Sequence, residues 1–195
     1  MAIELSVVIP AYNEEQNIEP LADELIKVLE EHGKTYEVIF VDDGSRDRTV
    51  DKITELHNKN KDIRLLQFRK NFGQTAAMDA GFKHAKGKIV IPMDADMQND
   101  PADIPRMLDK LQHYDAVVGW RKNRADGFLK KLFSKFANML RKKISGEKIH
   151  DSGCTLRVIR KEALEDLDLY GEMHRFIPSL LMWKGFDVGE LIVRH

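Results

Sequence analysis

The stretch L-S-V-V-I-P-A-Y-N-E-E, residues 5–15, carries the first decision about the fold. Six residues, apolar on both faces save for Ser6, run directly into a polar cluster. A strand buried in a parallel sheet reads this way where it emerges at its carboxyl end. The pattern recurs: Y-E-V-I-F-V-D at 36–42 leads into D-G-S, K-I-V-I-P-M at 88–93 into D-A-D-M-Q, and A-V-V-G at 116–119 into W-R. A further strand is predicted at 63–68. Between these runs, residues 18–32, 48–60, 75–85 and 103–111 carry apolar side chains at helical spacing, so strand and helix alternate. The expected class is α/β, a Rossmann-like, mostly parallel sheet with helices on both faces. Asn13 or Asn17, and Ser45 or Asp47, stand where the first two helices need N-caps. After Gly119 the rhythm changes to a basic amphipathic stretch, a strand near 154–159, a helix near 175–183 and a last strand near 187–193. No internal repeat or linker divides the chain.

The 195 residues are enough to bury a sizeable core, and 43% hydrophobic against 32% charged residues exclude a chain disordered throughout. Cys154 is the single cysteine, so no intramolecular disulfide forms, and a reducing, cytoplasmic setting is expected. No apolar run reaches membrane-spanning length, and the first ten residues lack the basic start of a signal peptide. The net charge of −1 hides an asymmetry: residues 121–148 hold ten Lys/Arg against two acids. Such a patch attracts anions, whether phosphate, nucleic acid or a lipid surface.

In an open parallel sheet ligands bind beyond the carboxyl ends of the strands, where this chain concentrates Asp, Glu, Asn and Gln. Any one cluster alone reads as a turn or a helix cap. Asp94 and Asp96, one residue apart beyond a strand, can direct two carboxylates to one side and share a cation. Gln98 offers a neutral oxygen in the same period of two. Hard oxygen ligands of this kind suit Mg²⁺ or Mn²⁺, which take further oxygens from water and substrate phosphates. In the basic stretch, Phe128, Leu129, Leu132, Phe133, Phe136, Met139, Leu140 and Ile144 fall on about half of a helix circumference, opposite Lys130, Lys131, Lys135, Arg141 and Lys142. Two readings stand side by side: a helix packed on the core with a solvated basic face, or one seated in a membrane interface. Trp120 and Trp183 read as core or interface aromatics, and Cys154 as a small buried hydrophobe.

The ordered series P-A-Y-N-E-E (10–15), V-D-D-G-S (41–45), R-K-N-F-G-Q (69–74), M-D-A-D-M-Q-N-D-P (93–101), G-W-R (119–121) and D-S-G-C-T-L-R (151–157) resembles the inverting family 2 glycosyltransferases of GT-A fold. Within them it is most similar to the polyprenyl-phosphate glycosyltransferases, the dolichol-phosphate mannosyltransferase and bacterial undecaprenyl-phosphate types. The resemblance implies a single catalytic domain over 1–195, with a nucleotide-sugar half at 1–119 and an acceptor-side extension at 120–195 that includes the basic helix. It implies that Pro10, Tyr12, Glu14, Asp42, Asp43 and Asp94 bind the donor, and that Asp94, Asp96 and Gln98 hold the metal. Arg121, Lys130 or Lys131, Ser134 and Arg175 would meet the acceptor phosphate, with Asp96, Arg121 and Asp151 as the catalytic set. Asp151 is the carboxylate nearest the family's base position, and D-S-G also reads as a turn. The implied partners are a UDP- or GDP-sugar, a dolichyl or undecaprenyl phosphate and the inner face of the membrane, with room for an oligomer. The family usually continues beyond residues 193–195 with basic residues and then transmembrane helices. A lipid monophosphate is already an oxyanion at neutral pH, so the chemistry needs charge and position more than a strong base. A same-fold transferase with a saccharide acceptor and a non-catalytic nucleotide-binding module are the alternatives. A phosphate receiver built on Asp42 and Asp43 leaves the D-x-D motif unexplained, and a nucleic-acid binder lacks a recognition motif.

Overall fold

A computed structural model describes residues 2–122 and 149–194. Lys130, Lys131, Ser134 and the amphipathic arc of 128–144 lie outside the described residues. Five segments form a parallel set in chain order: β1 (Leu5–Ala11), β2 (Tyr36–Asp42), β3 (Ile63–Gln67), β4 (Ile89–Pro92) and β5 (Ala116–Trp120). They alternate with α1 (Ile18–His32), α2 (Thr49–Lys59), α3 (Gln74–His84) and α4 (Ile104–Lys110). Then follow β6 (Arg157–Arg160), α5 (Lys161–Leu164), α6 (Ile177–Trp183) and β7 (Val188–Ile192). Among the described residues the sheet has seven strands in the order β3-β2-β1-β4-β6-β5-β7. Of these seven described strands only β6 runs antiparallel to its neighbours, wedged between β4 and β5. The α/β expectation holds, and the order β3-β2-β1-β4 is that of a nucleotide-binding half-fold.

Strand alternation sends Val7 and Ile9 to one face of β1 and Val8 to the other, and each face is covered. Ile18, Leu21, Leu25 and Leu29 of α1, with Ile53 of α2 and Met107 of α4, pack on the first face together with Phe40 and Ile91. Ala77 and Met78 of α3 and Ile177 and Leu181 of α6 pack on the second with Val8, Ile39 and Val90. Each fully buried Leu or Ile contributes about 2 kcal/mol, so the four of α1 alone outweigh the helix's weak intrinsic tendency. Gly81 lets α3 approach β1, since a Cβ there would stand 2.2 Å from Val8 Cγ1.

The caps differ from expectation. Asn17 stands at the N-cap of α1 but its side chain makes no capping bond, and its Nδ2 donates instead to Glu14 Oε2. Arg48 occupies the N-cap of α2, and Asp47, one residue outside, accepts the Thr49 N–H at 3.0 Å. Ser45 serves the neighbouring loop by accepting the Asn13 N–H. The helix expected at 103–111 opens with a 3-10 turn (Pro101–Asp103), where Asp100 accepts the Ala102 N–H. Trp183 is 85% exposed and is not a core residue. Cys154 is fully buried, its thiol pushed up to about 11 by burial, as a small hydrophobe should be.

Candidate active site

The carboxyl ends of β1, β2, β3 and β4 open on one cleft of about 380 Å³. Pro10, Tyr12 and Glu14 reach it from β1, Asp43 from β2, and Asp94 and Asp96 from β4. Asn71, Gly73 and Gln74, from the loop that leads from β3 into α3, complete the wall. The sequence had placed that loop in a motif without giving it a role. The first turn of α3 therefore borders the cleft, where the N–H groups that a helix start leaves without intrahelical partners favour an anion.

Asp42 and Asp43 are adjacent but do different things. Asp42 is fully buried, and its carboxylate accepts the N–H groups of Gly44 and Ser45, closing the turn beyond β2. It does not line the cleft. Asp43 does, while its Oδ1 and Oδ2 accept the N–H groups of Phe72 and Gly73 at 2.7 and 2.9 Å. A carboxylate has about four acceptor sites, so Asp43 keeps capacity for a ligand hydroxyl or ring N–H. Gly44 makes the turn possible: its φ is +75°, and a Cβ would stand 2.5 Å from the Lys70 carbonyl carbon. Gly44→Ala is expected to cost about 3 kcal/mol, from the left-handed backbone plus the clash. Urea denaturation of the variant checks this.

Asp94 is half-buried, and Gln74 Nε2 donates to its Oδ1 at 2.7 Å. Burial raises its pKa and the charge of Asp96 adds to the rise, while a Thr155 hydrogen bond and the guanidiniums of Arg157 and Arg121 oppose them. Asp96 is exposed at the mouth and accepts the Gln98 N–H at 3.1 Å. The expected period of two fails beyond Asp96, because Met97 has φ +62° and turns the chain, leaving Gln98 exposed outside the cleft wall. No group of three or more His, Cys, Asp or Glu side chains that could hold a metal occurs among the described residues. The pair Asp94 and Asp96 nevertheless fits Mg²⁺ or Mn²⁺. It offers hard oxygens only, and the burial of Asp94 with the like charge of Asp96 beside it outweighs the nearby guanidiniums, so the ionised pair favours a cation.

Arg121 and Asp151, 30 residues apart, form a two-bonded ion pair: Nε to Oδ2 at 2.8 Å and Nη2 to Oδ1 at 3.1 Å, with side chains 8% and 10% exposed. The residues expected to bind the acceptor and to act as base thus meet each other, and the turn reading of D-S-G is also what the chain does at 152–153. Behind them lies Arg157, which the sequence left without a role. It is buried and donates to the carbonyls of His174 and Ser152 at 2.8 and 2.9 Å, while its Nε finds no partner among the described residues. Burial lowers its pKa to about 10, so it remains charged at neutral pH beside Asp94 and Asp151. His174, also buried, brings Nδ1 to 2.6 Å from Thr75 Oγ1 at the start of α3. Arg175 is exposed and pairs with Glu172 at 3.1 Å, outside the cleft wall.

An acidic cleft at the carboxyl ends of such a sheet, with a short antiparallel strand wedged into it, is the GT-A architecture of nucleotide-sugar enzymes. The chain belongs to glycosyl transferase family 2, whose model matches residues 6–168. A dodecaprenyl-phosphate galacturonate synthase of Rhizobium johnstonii is 42% identical over 200 residues, covering 100% of this chain and 59% of the relative. An undecaprenyl-phosphate 4-deoxy-4-formamido-L-arabinose transferase of Pectobacterium carotovorum is 40% identical, covering 98% and 59%. The chain thus spans 59% of the length of these curated relatives. Among solved structures, the mannosyltransferase PcManGT of Pyrobaculum calidifontis with GDP-Man and Mn²⁺ superposes with a TM-score of 0.72 at 21% identity, covering 98% of this chain and 55% of that one. The glucosyl-3-phosphoglycerate synthase of Mycobacterium tuberculosis with Mn²⁺ and UDP-glucose gives 0.74 at 22%, covering 99% and 71%.

Proposed function

We propose that this chain is the catalytic domain of an inverting transferase that moves a sugar from a UDP- or GDP-sugar to a polyprenyl phosphate. The observation that carries the reading is the cleft in which Asp43, Asp94 and Asp96 face the first turn of α3, in a chain whose relatives are named for transfer to polyprenyl phosphates. Asp43, Tyr12 and Glu14 would hold the nucleoside, and the α3 amides would favour the diphosphate. Asp94 and Asp96 would hold a divalent cation, without Gln98, which the turn at Met97 carries outside the cleft wall. When bound, that cation would stabilise the charge of the departing nucleoside diphosphate.

The chain's own residues supply position. Arg121, held by Asp151 through Nε and Nη2, keeps Nη1, which has no partner among the described residues, for an acceptor phosphate oxygen. With its carboxylate engaged by a guanidinium, Asp151 acts as the holder of Arg121, and the acceptor's own oxyanion is the nucleophile. A single displacement inverts the anomeric carbon. Lys130 or Lys131, Ser134 and Arg175 are assigned to the acceptor from sequence, and the amphipathic segment to the inner membrane surface. No helix among the described residues is long and apolar enough to cross a membrane.

Calorimetric titration with UDP and with GDP, each with Mn²⁺ and with EDTA, tests the donor half. One nucleotide is expected to bind in the micromolar range, with metal only. Transfer of a radiolabelled sugar onto polyprenyl phosphate tests the acceptor half. Absence of nucleotide binding in every condition would overturn the reading. Asp43→Asn is expected to weaken nucleotide binding about tenfold, through loss of a charged hydrogen bond, in the same titration.

A further inference from the structure

Glu190 belongs to the edge strand β7, opposite Val118 of β5. Its carboxylate is turned inward, with the side chain 15% exposed. Oε1 accepts the backbone N–H groups of His150 at 2.6 Å and Asp151 at 3.3 Å. Oε2 lies 2.7 Å from His150 Nδ1, and because a carboxylate only accepts, Nδ1 carries the proton. Three donors thus converge on one side chain 40 residues away in sequence from His150.

His150 and Asp151 each face a residue at the end of β5. The His150 ring stacks on Trp120, with 4.3 Å between centroids and planes 15° apart, and Asp151 grips Arg121. Trp120–His150 and Arg121–Asp151 are consecutive rungs between the same two backbone segments. Glu190, from a third segment, fixes the backbone of the second rail. Its own carbonyl is tied to Lys110 Nζ at 2.6 Å, so the anchor is held in turn.

We infer that Glu190 is a positioning residue, which acts through His150 and Asp151 to set the direction of the Arg121 guanidinium. The inference rests on the proposed role of Arg121 toward an acceptor phosphate. Its physical basis is rigidity. A two-bonded guanidinium–carboxylate pair points only as well as the backbone carrying the carboxylate, and a displacement near 1 Å costs about 100-fold. The donor cleft draws on β1, β2, β3 and β4, and among the described residues β7 is a sheet neighbour of none of them.

The test compares Glu190→Ala and Glu190→Gln with the wild type in full kinetics. For Glu190→Ala, the KM for polyprenyl phosphate is expected to rise about 10–100-fold, with nucleotide binding in Mn²⁺ unchanged. Glu190→Gln is expected to stay within about threefold of wild type. Its carboxamide oxygen still accepts the two backbone N–H groups, and His150 can change tautomer to accept from the amide. Equal changes in donor and acceptor parameters, or none, would overturn the inference. If Glu190→Ala no longer binds nucleotide, Glu190→Asp, one methylene too short to reach both donors, takes its place in the same comparison. If the wild type transfers nothing to polyprenyl phosphate, the functional reading fails, and the Arg121 Nε–H signal in ¹⁵N-edited NMR decides the positioning role. Protection from exchange in the wild type and Gln variant, lost in Ala, supports it; equal protection in all three overturns it.

Discussion

Asp94→Asn is expected to abolish metal-dependent nucleotide binding and to lower sugar transfer by about three orders of magnitude, without unfolding the protein. The substitution keeps the shape and the Oδ1 that accepts from Gln74, so the wall of the cleft stays in place. It removes one of the two charges that a divalent cation would need, and Asp96 alone, exposed at the mouth, does not replace it. Burial is the largest cause raising the Asp94 pKa, which means that the fold disfavours the ionised form. Asparagine relieves that cost, and the melting temperature is expected to hold or rise. Lost binding with retained stability marks a residue kept for function against the interest of the fold. Calorimetry with Mn²⁺ and the productive nucleotide, alongside a thermal melt, reads both quantities. Undiminished binding by the variant would remove Asp94 from the metal site.

Arg157→Leu is expected to destabilise the protein by about 3 kcal/mol. The guanidinium is buried and joins the turn at Ser152 to that at His174 through their carbonyls. Leucine would take away the guanidinium bonds to both carbonyls and one of the two positive charges beside Asp94 and Asp151, leaving Arg121 alone. The stretch around His174 also docks on α3 through Thr75, so loosening it disturbs the helix whose first turn borders the cleft. Arg157→Lys restores the charge but not the fork that spans two acceptors, and is expected to recover about half of the loss. The urea midpoints of the three proteins order them: wild type, Lys, Leu. An unchanged midpoint for Leu would show that the carbonyls find other partners.

The parallel strands, the helices between them and the acidic ends of β1, β2 and β4 are all local features. Apolar runs terminate in polar clusters within a few residues, and burial on both faces leaves that pattern in the chain itself. Asp43, Asp94 and Asp96 could therefore be placed at one cleft from sequence, since a parallel sheet carries its strand ends to one side. The separate fate of Asp42 could not, because whether a carboxylate closes a turn or faces a ligand depends on backbone direction over two residues. Gln98 shows the same limit, displaced by the single positive φ at Met97. The remaining decisions are long-range. The antiparallel insertion of β6, the Arg121–Asp151 pair, the Glu190 anchor and the His174–Thr75 contact join residues 30 to 99 positions apart. No periodicity encodes such pairs. Ion pairs and buried hydrogen bonds are specified by three-dimensional proximity and by the need to satisfy every polar group removed from water, conditions that exist only once the sheet has formed.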